Sequence, residues 1–298
     1  MPARSTLSRF AVVTVGGVLA ALTPWSSASA AVQCGAVLTS NTTLTSNLTC
    51  DASGDGLSIG ADGVTLNLNG HTITGPGAYA TPYAGVRAAG HTKVRITNGR
   101  ITGFQSAVVL DESTLAVVSK LNAYGNDQGI NLAGGGGHVV EKNVLHGNGR
   151  DAVTLGLSSH NRVRGNAVVG NTFGISVTDG STDNVVELNA VSRNGDFGIA
   201  VFGEGAARNL VQANVVDQST GQGIQVNADA TDSRVVKNYV SRSGIDGIHV
   251  DSASTTITRN DARKNTALGI NAPGAIDGGG NKAKGNGDPL QCVGVACS

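Results

Sequence analysis

The feature that most constrains the fold of this chain is a repeat of 22 to 25 residues that recurs nine times. A Gly/Ala-Ile/Val dipeptide opens "GVRA" at Gly85, "AVVL" at Ala107, "GINL" at Gly129, "AVTL" at Ala152, "GISV" at Gly174, "GIAV" at Gly198, "GIQV" at Gly223, "GIHV" at Gly247 and "GINA" at Gly269. A second landmark runs half a repeat out of phase at Asn143, Asn166, Asn189, Asn214, Asn238, Asn260 and Asn281. Two series keeping step over this length mark a chain built from one structural unit used repeatedly.

Within each unit the apolar residues alternate with period two. In "GISV" Ile175 and Val177 share one side and Ser176 takes the other, while Val163 and Val168 are the inward members of "NRVRGN" and "NAVVGN". Three short strands separated by turns make one coil. A lone coil has open edges on both sides and cannot bury its apolar face, so it must stack on copies of itself with each strand pairing in parallel. The fold expected is therefore all-β, a single-stranded right-handed parallel β-helix of about nine to ten coils, its hand following the rule for parallel connections. The recurring Asn residues are expected to form an internal amide ladder, since Asn suits tight turns, tolerates left-handed backbone and can bond from coil to coil. They are assigned no catalytic role. The column Glu141, Arg164, Glu187, Gln212 is expected to pair across strands on the outside.

The ends carry other information. Arg4 and Arg9, the short apolar run Phe10 to Leu22 and Ala28-Ser29-Ala30 have the form of a secretion signal over residues 1–30. Without those two arginines the chain holds 19 basic and 21 acidic residues, which lacks the basic excess that a nucleic-acid partner would need. No later apolar run approaches membrane-spanning length. In an exported chain the four cysteines read as two short-loop disulfides, Cys34 with Cys50 and Cys292 with Cys297. A four-cysteine metal site is the weaker alternative, because the usual CxxC spacing is missing. The organisation expected is a signal over 1–30, an N-terminal capping segment over 31–63, the β-helix over 64–286 and a C-terminal cap over 287–298, in a secreted extracellular monomer. The "GPGAYATPYAG" stretch between Gly75 and Gly85 reads as the longest loop of the body.

The "NLNGHTITG" segment, the GI-x-V and Asn columns and the "DGGGNKAKGNGDP" ending resemble secreted actinobacterial right-handed β-helix repeat proteins. That architecture is shared by pectate lyases, chondroitinase-B-type lyases, mannuronan C5-epimerases and the NosD-like proteins, and the repeats look most like the last two. The resemblance implies a pectin-lyase-like fold and a polysaccharide substrate. The motifs diverge: the epimerase Asp-Pro-His-Glu motif is represented only by "IDGIHVD", which has neither the Pro nor the following Glu, and the polygalacturonase signatures are absent.

In enzymes of this kind the substrate lies along the outer face of the GI-x-V strands. The outward columns place Asp246, His249 and Asp251 beside Gln222, Gln225 and Asn227, with Asn271 one coil on and Arg242 and Lys264 approaching from the preceding strand. Such a cluster suits abstraction of the proton alpha to a uronate carboxylate, which needs a base together with donors or cations to hold the carboxylate. His249 is the expected base, and Asp246 and Asp251 its partners. Gln225, Asn227, Arg242 and Lys264 are the expected neutralisers. Phe173, Phe197 and Phe202 lie next to the group as candidate sugar platforms, with packing of the stacked rings against neighbouring turns the default reading. No cofactor is firmly implied, although Asp246, Asp251 and Asn227 offer the oxygen ligands of a calcium site. A smaller polar group, Asp127, Gln128, Asn131, Arg150 and Asp151, sits on earlier coils. The function expected is a lyase or C5-epimerase of an acidic glycan. The alternative is a non-catalytic extracellular glycan-binding or structural module, because outward positions of any β-helix are polar and the turns feeding GI-x-V are too short to wall a cleft.

Overall fold

The computed structural model describes residues 32–80 and 82–298; the segment read as a secretion signal lies outside the described residues. Each repeat lays down three short parallel strands, and the coils stack into a right-handed β-solenoid of about eleven turns with no helix among the described residues. Face 1 is a sheet of twelve strands from Ala36–Leu38 to Cys292–Val293, and it contains every GI-x-V segment. Faces 2 and 3 run beside it. Strands Arg95–Thr102 and Val117–Tyr124 pass through the corner between those two faces, each pairing with different strands at its two ends.

Register follows the sequence landmarks. Ile175 pairs with Ile199, Ile199 with Ile224, and Ile224 with Ile248, so like stacks on like along the axis. Ile175, Val177, Val163 and Val168 are fully buried, and each such side chain stabilises the stack by about 1.5–3 kcal/mol. The glycine that opens GI-x-V has a steric reason. A Cβ at Gly247 would lie 2.5 Å from Asn265 Nδ2 and 2.6 Å from the Gly269 carbonyl oxygen, too close to accommodate.

The Asn ladder forms as expected. Asn143 Nδ2 donates to Asn166 Oδ1 at 3.0 Å, Asn166 to Asn189 at 3.0 Å and Asn189 to Asn214 at 3.0 Å, and the series continues to Asn281. The left-handed residue at this corner is not the Asn but the one before it: Lys142, Leu188, Ala213, Lys237 and Arg259 have φ between 51° and 56°. Two further ladders occupy the other corners, Asn126–Asn148–Asn171–Asn194 and Asn161–Asn184–Asn209. Outside, Arg164 pairs with Glu141 at 2.6 Å, but Glu187 takes Arg162 and the Gln212 amide instead of Arg164.

Within the segment expected as a cap, residues 36–59 are wound into the solenoid, with Ala36–Leu38 pairing in register with Leu57–Ile59 and that strand with Ala84–Ala89. The region expected as a C-terminal cap supplies the twelfth face 1 strand, Cys292–Val293. The turn count therefore exceeds nine to ten, because these coils hydrogen-bond without carrying the Gly-Ile landmark. Both disulfides are formed, Cys34–Cys50 and Cys292–Cys297, so the metal alternative for the cysteines falls.

Candidate functional site

Asp246, His249 and Asp251 meet on the outside of face 1. His249 sits mid-strand in Ile248–Val250, paired in register with Gln225 below and Asn271 above, so alternation turns its ring outward. Its Nδ1 lies 2.9 Å from Asp246 Oδ2 and its Nε2 3.1 Å from Asp251 Oδ1. The environment of the three side chains is graded: Asp246 is 6% exposed, His249 21% and Asp251 46%.

Asp246 is fixed from several sides. The Leu268 N–H donates to its Oδ1 at 2.9 Å and Asn271 Nδ2 to its Oδ2 at 3.0 Å. Burial works against its charge, but the bonds from His249, Asn271 and Leu268 outweigh it and hold the carboxyl below its ordinary range. The bond to Asp246 raises the His249 pKa above the usual imidazole value, burial opposes this, and the charge of Asp251 adds to the rise. A carboxylate at each ring nitrogen favours the imidazolium form, which alone donates at both.

The remaining predicted residues divide into two groups. Gln225 Nε2 donates to Asn227 Oδ1 at 2.7 Å, and both line an open depression of about 390 Å³ with Ala228, Asp229 and Asp251. Gln222 is half-buried one turn below Asp246. Arg242 and Lys264 instead occupy left-handed corner positions, φ 55° and 56°, and the Arg242 guanidinium is held by Asp217 at 2.5 Å. Of the two expected cationic neutralisers, Arg242 is thereby engaged at the corner, and the depression beside His249 is lined by carboxylates and amides. The imidazole stands between the two aspartates, and among the described residues no three His, Cys, Asp or Glu side chains converge as metal ligands. Phe173 stacks on Phe197 at 5.1 Å, and Phe197 meets Phe202 edge-on at 6.2 Å, so the three rings pack on one another as a half-buried strip.

Sequence reasoning gave less weight to the earlier coils. Asp151 is buried in the row of Gln128 and Phe173, accepts a bond from the Ser176 hydroxyl, and has its pKa raised by burial, which that bond only partly offsets. Thr154 Oγ1 and Asp127 Oδ1 nearby are buried without partners. Tyr79, from the loop after Gly75, reaches over Gly149 and lines a depression with Gln105 and Asp127. His138 is fully buried in the third ladder: the Ala116 N–H donates to its Nδ1 at 3.1 Å, and the His138 backbone N–H donates to Asn161 Oδ1 at 2.9 Å. The spacing 138, 161, 184, 209 was the available signal.

Comparison with known proteins agrees with the architecture. A family model described as a right handed beta helix region matches residues 30–191 and 182–286. None of the curated proteins matches by sequence. Among solved structures, a double mutant of the periplasmic alginate epimerase AlgG is similar at 13% identity and a TM-score of 0.61, over 88% of this chain and 70% of that one. The A-module of the Azotobacter vinelandii mannuronan C-5 epimerase AlgE4 is similar at 14% identity and 0.52, over 87% and 91%. The Dettilon tailspike protein is similar at 16% and 0.52, over 88% and 62%. At these identities the likeness is one of fold.

Proposed function

The chain belongs to the right-handed β-helix family, and on that footing we propose that it is a secreted protein acting on polysaccharide laid along face 1, with lyase or C5-epimerase chemistry on an acidic uronate glycan run by His249, Asp246 and Asp251. The observation that carries the reading is the two-sided hold on His249, with a buried aspartate behind the ring and an exposed aspartate in front of it. Asp246 fixes the ring. Asp251, at the solvent edge, leaves Nε2 when a sugar enters, and the ring proton passes to solvent water. The freed Nε2 then abstracts the C5 proton, and amide N–H groups of Gln225, Asn227 and Asn271 stabilise the enolate-like intermediate. Breaking the C4–O bond completes a lyase cycle, and protonation of C5 from the opposite side completes an epimerase cycle. The solved relatives named for alginate and mannuronan epimerisation support the substrate class, and the two disulfides support an oxidising compartment.

The test is incubation with alginate, pectate and glycosaminoglycans. Unsaturated-uronate absorbance or an altered epimer ratio by NMR, abolished in His249→Ala, supports the reading; turnover that persists in His249→Ala refutes it. Two observations favour a second reading, a surface that binds glycan without turnover: the imidazole is already satisfied at both nitrogens, and the turns leave face 1 open. Binding across the panel with no product identifies that case.

A further inference from the structure

Face 3 carries a group of cations that the face 1 site does not use. Arg100, Lys120 and Lys142 line a groove of about 360 Å³ at the corner between faces 2 and 3, and no carboxylate contributes to its lining. Most of the other arginines are engaged by carboxylates, for example Arg87 by Asp55, Arg208 by Asp183 and Arg263 by Asp261, whereas Arg100 makes no ion pair among the described residues and donates from one Nη to the Gly70 carbonyl at 2.9 Å; Lys120 and Lys142, like the other lysines described, make no ion pair. Glu141, the acid next to Lys142 in sequence, is taken by Arg164. Lys120 and Lys142 occupy the same left-handed corner position on successive coils, which sets them about 4.8 Å apart along the axis.

The neighbouring surface is suited to sugar. Arg100, Asn122 and Val144 pair in register along face 3, and Asn122 Oδ1, in the same groove, is buried with no hydrogen-bond partner. Two residues further along the strands, about 7 Å away, Tyr124 and His146 stack face to face at 5.1 Å with an interplanar angle of 3°. Stacked cations and a flat aromatic shelf within the reach of one or two sugar rings form a complementary set. Face 1 lacks the first of these, its depression being edged by Asp229 and Asp251.

We propose that this part of face 3 is a binding site for an acidic polysaccharide, in which Lys120, Lys142 and Arg100 hold the anionic groups and Tyr124 and His146 support the ring. The inference rests on the polysaccharide reading but on none of its face 1 residues. Equilibrium binding of the full chain to oligogalacturonate, dextran sulfate and neutral dextran tests it. Lys120→Ala with Lys142→Ala lowers affinity for the acidic ligand about tenfold, as two partly screened charges should, while Lys120→Arg with Lys142→Arg retains it and an unchanged melting temperature shows that both variants fold. Affinity falls with added salt, Tyr124→Ala weakens binding further, and the tighter of the two acidic ligands identifies the anion as carboxylate or sulfate ester. Unchanged affinity in the double Ala variant, or equal affinity for neutral dextran, overturns the proposal. Binding does not depend on turnover at His249, so this site and the face 1 chemistry can fail separately.

Discussion

His138 gives the fold a pH dependence that can be worked out from its surroundings. The ring stands where the neighbouring coils carry Asn161, Asn184 and Asn209, and its Nδ1 takes the Ala116 N–H in the way their side-chain oxygens take the amide of the coil before. Protonation would put a donor against that donor, inside a fully buried site. Burial accordingly pushes the pKa down from 6.5 to about 4, with the Ser113 backbone partly offsetting it. A depressed folded-state pKa contributes stability that is complete above the unfolded value and lost as pH falls towards the folded one. With the two values about 2.5 units apart, the loss amounts to about 2 kcal/mol at about pH 5 and about 3 kcal/mol at about pH 4, relative to neutral pH. His138→Asn removes the titration while restoring the ladder. Denaturant unfolding of both proteins across this range, followed by far-UV circular dichroism, isolates the effect because every other titrating group cancels in the difference. The gap between variant and parent should widen in favour of the variant by those amounts as pH falls. Parallel pH profiles, or a His138 ring that titrates near 6.5 by NMR in the folded protein, would refute the reasoning.

Three further outcomes are expected. Asn189→Ala removes bonds to the Val163 carbonyl, the Asn214 amide and the Asn166 backbone and side chain, so unfolding at neutral pH should show a loss of at least about 4 kcal/mol. Ser219→Asn should stabilise by about 1 kcal/mol, because Asn194 Nδ2 and the Ser219 hydroxyl are both buried without partners and the residue opposite is glycine, Gly198, as Gly247 is opposite Asn265; a lower melting temperature would count against the ladder argument. If the face 1 chemistry operates, its raised His249 pKa places the acidic limb of kcat/KM above the ordinary imidazole value of about 6.5, and Asp246→Asn moves that limb to lower pH in a pH–rate profile.

The solenoid was legible because its determinants repeat. Ile175, Ile199, Ile224 and Ile248 stack at the spacing of the GI-x-V landmark, and the amide ladder from Asn143 to Asn281 follows from the Asn column alone. The first and last turns escaped because "AVL", "LSI" and "CV" pair through the backbone without the landmark, and parallel pairing does not require it. Corner geometry was less visible. The left-handed positions hold Lys, Leu and Arg as well as Gly, so composition does not mark them, and the pairing of Arg242 with Asp217 away from His249 depends on that corner. The meeting of Asp246, His249 and Asp251 was legible from alternation within one strand and its approach. The groove on face 3 was not, since Arg100, Lys120 and Lys142 come together only when successive coils are stacked in register.

The claim that matters most is that an acidic glycan meets the chain on face 1 at His249. Crystals soaked with uronate hexasaccharide test it directly. The account predicts a sugar whose C5 lies within reach of His249 Nε2, with Asp251 displaced from the ring and Asn227 or Asn271 on the carboxylate. A hexasaccharide bound elsewhere, with Asp251 still on His249 and face 1 bare, would contradict it.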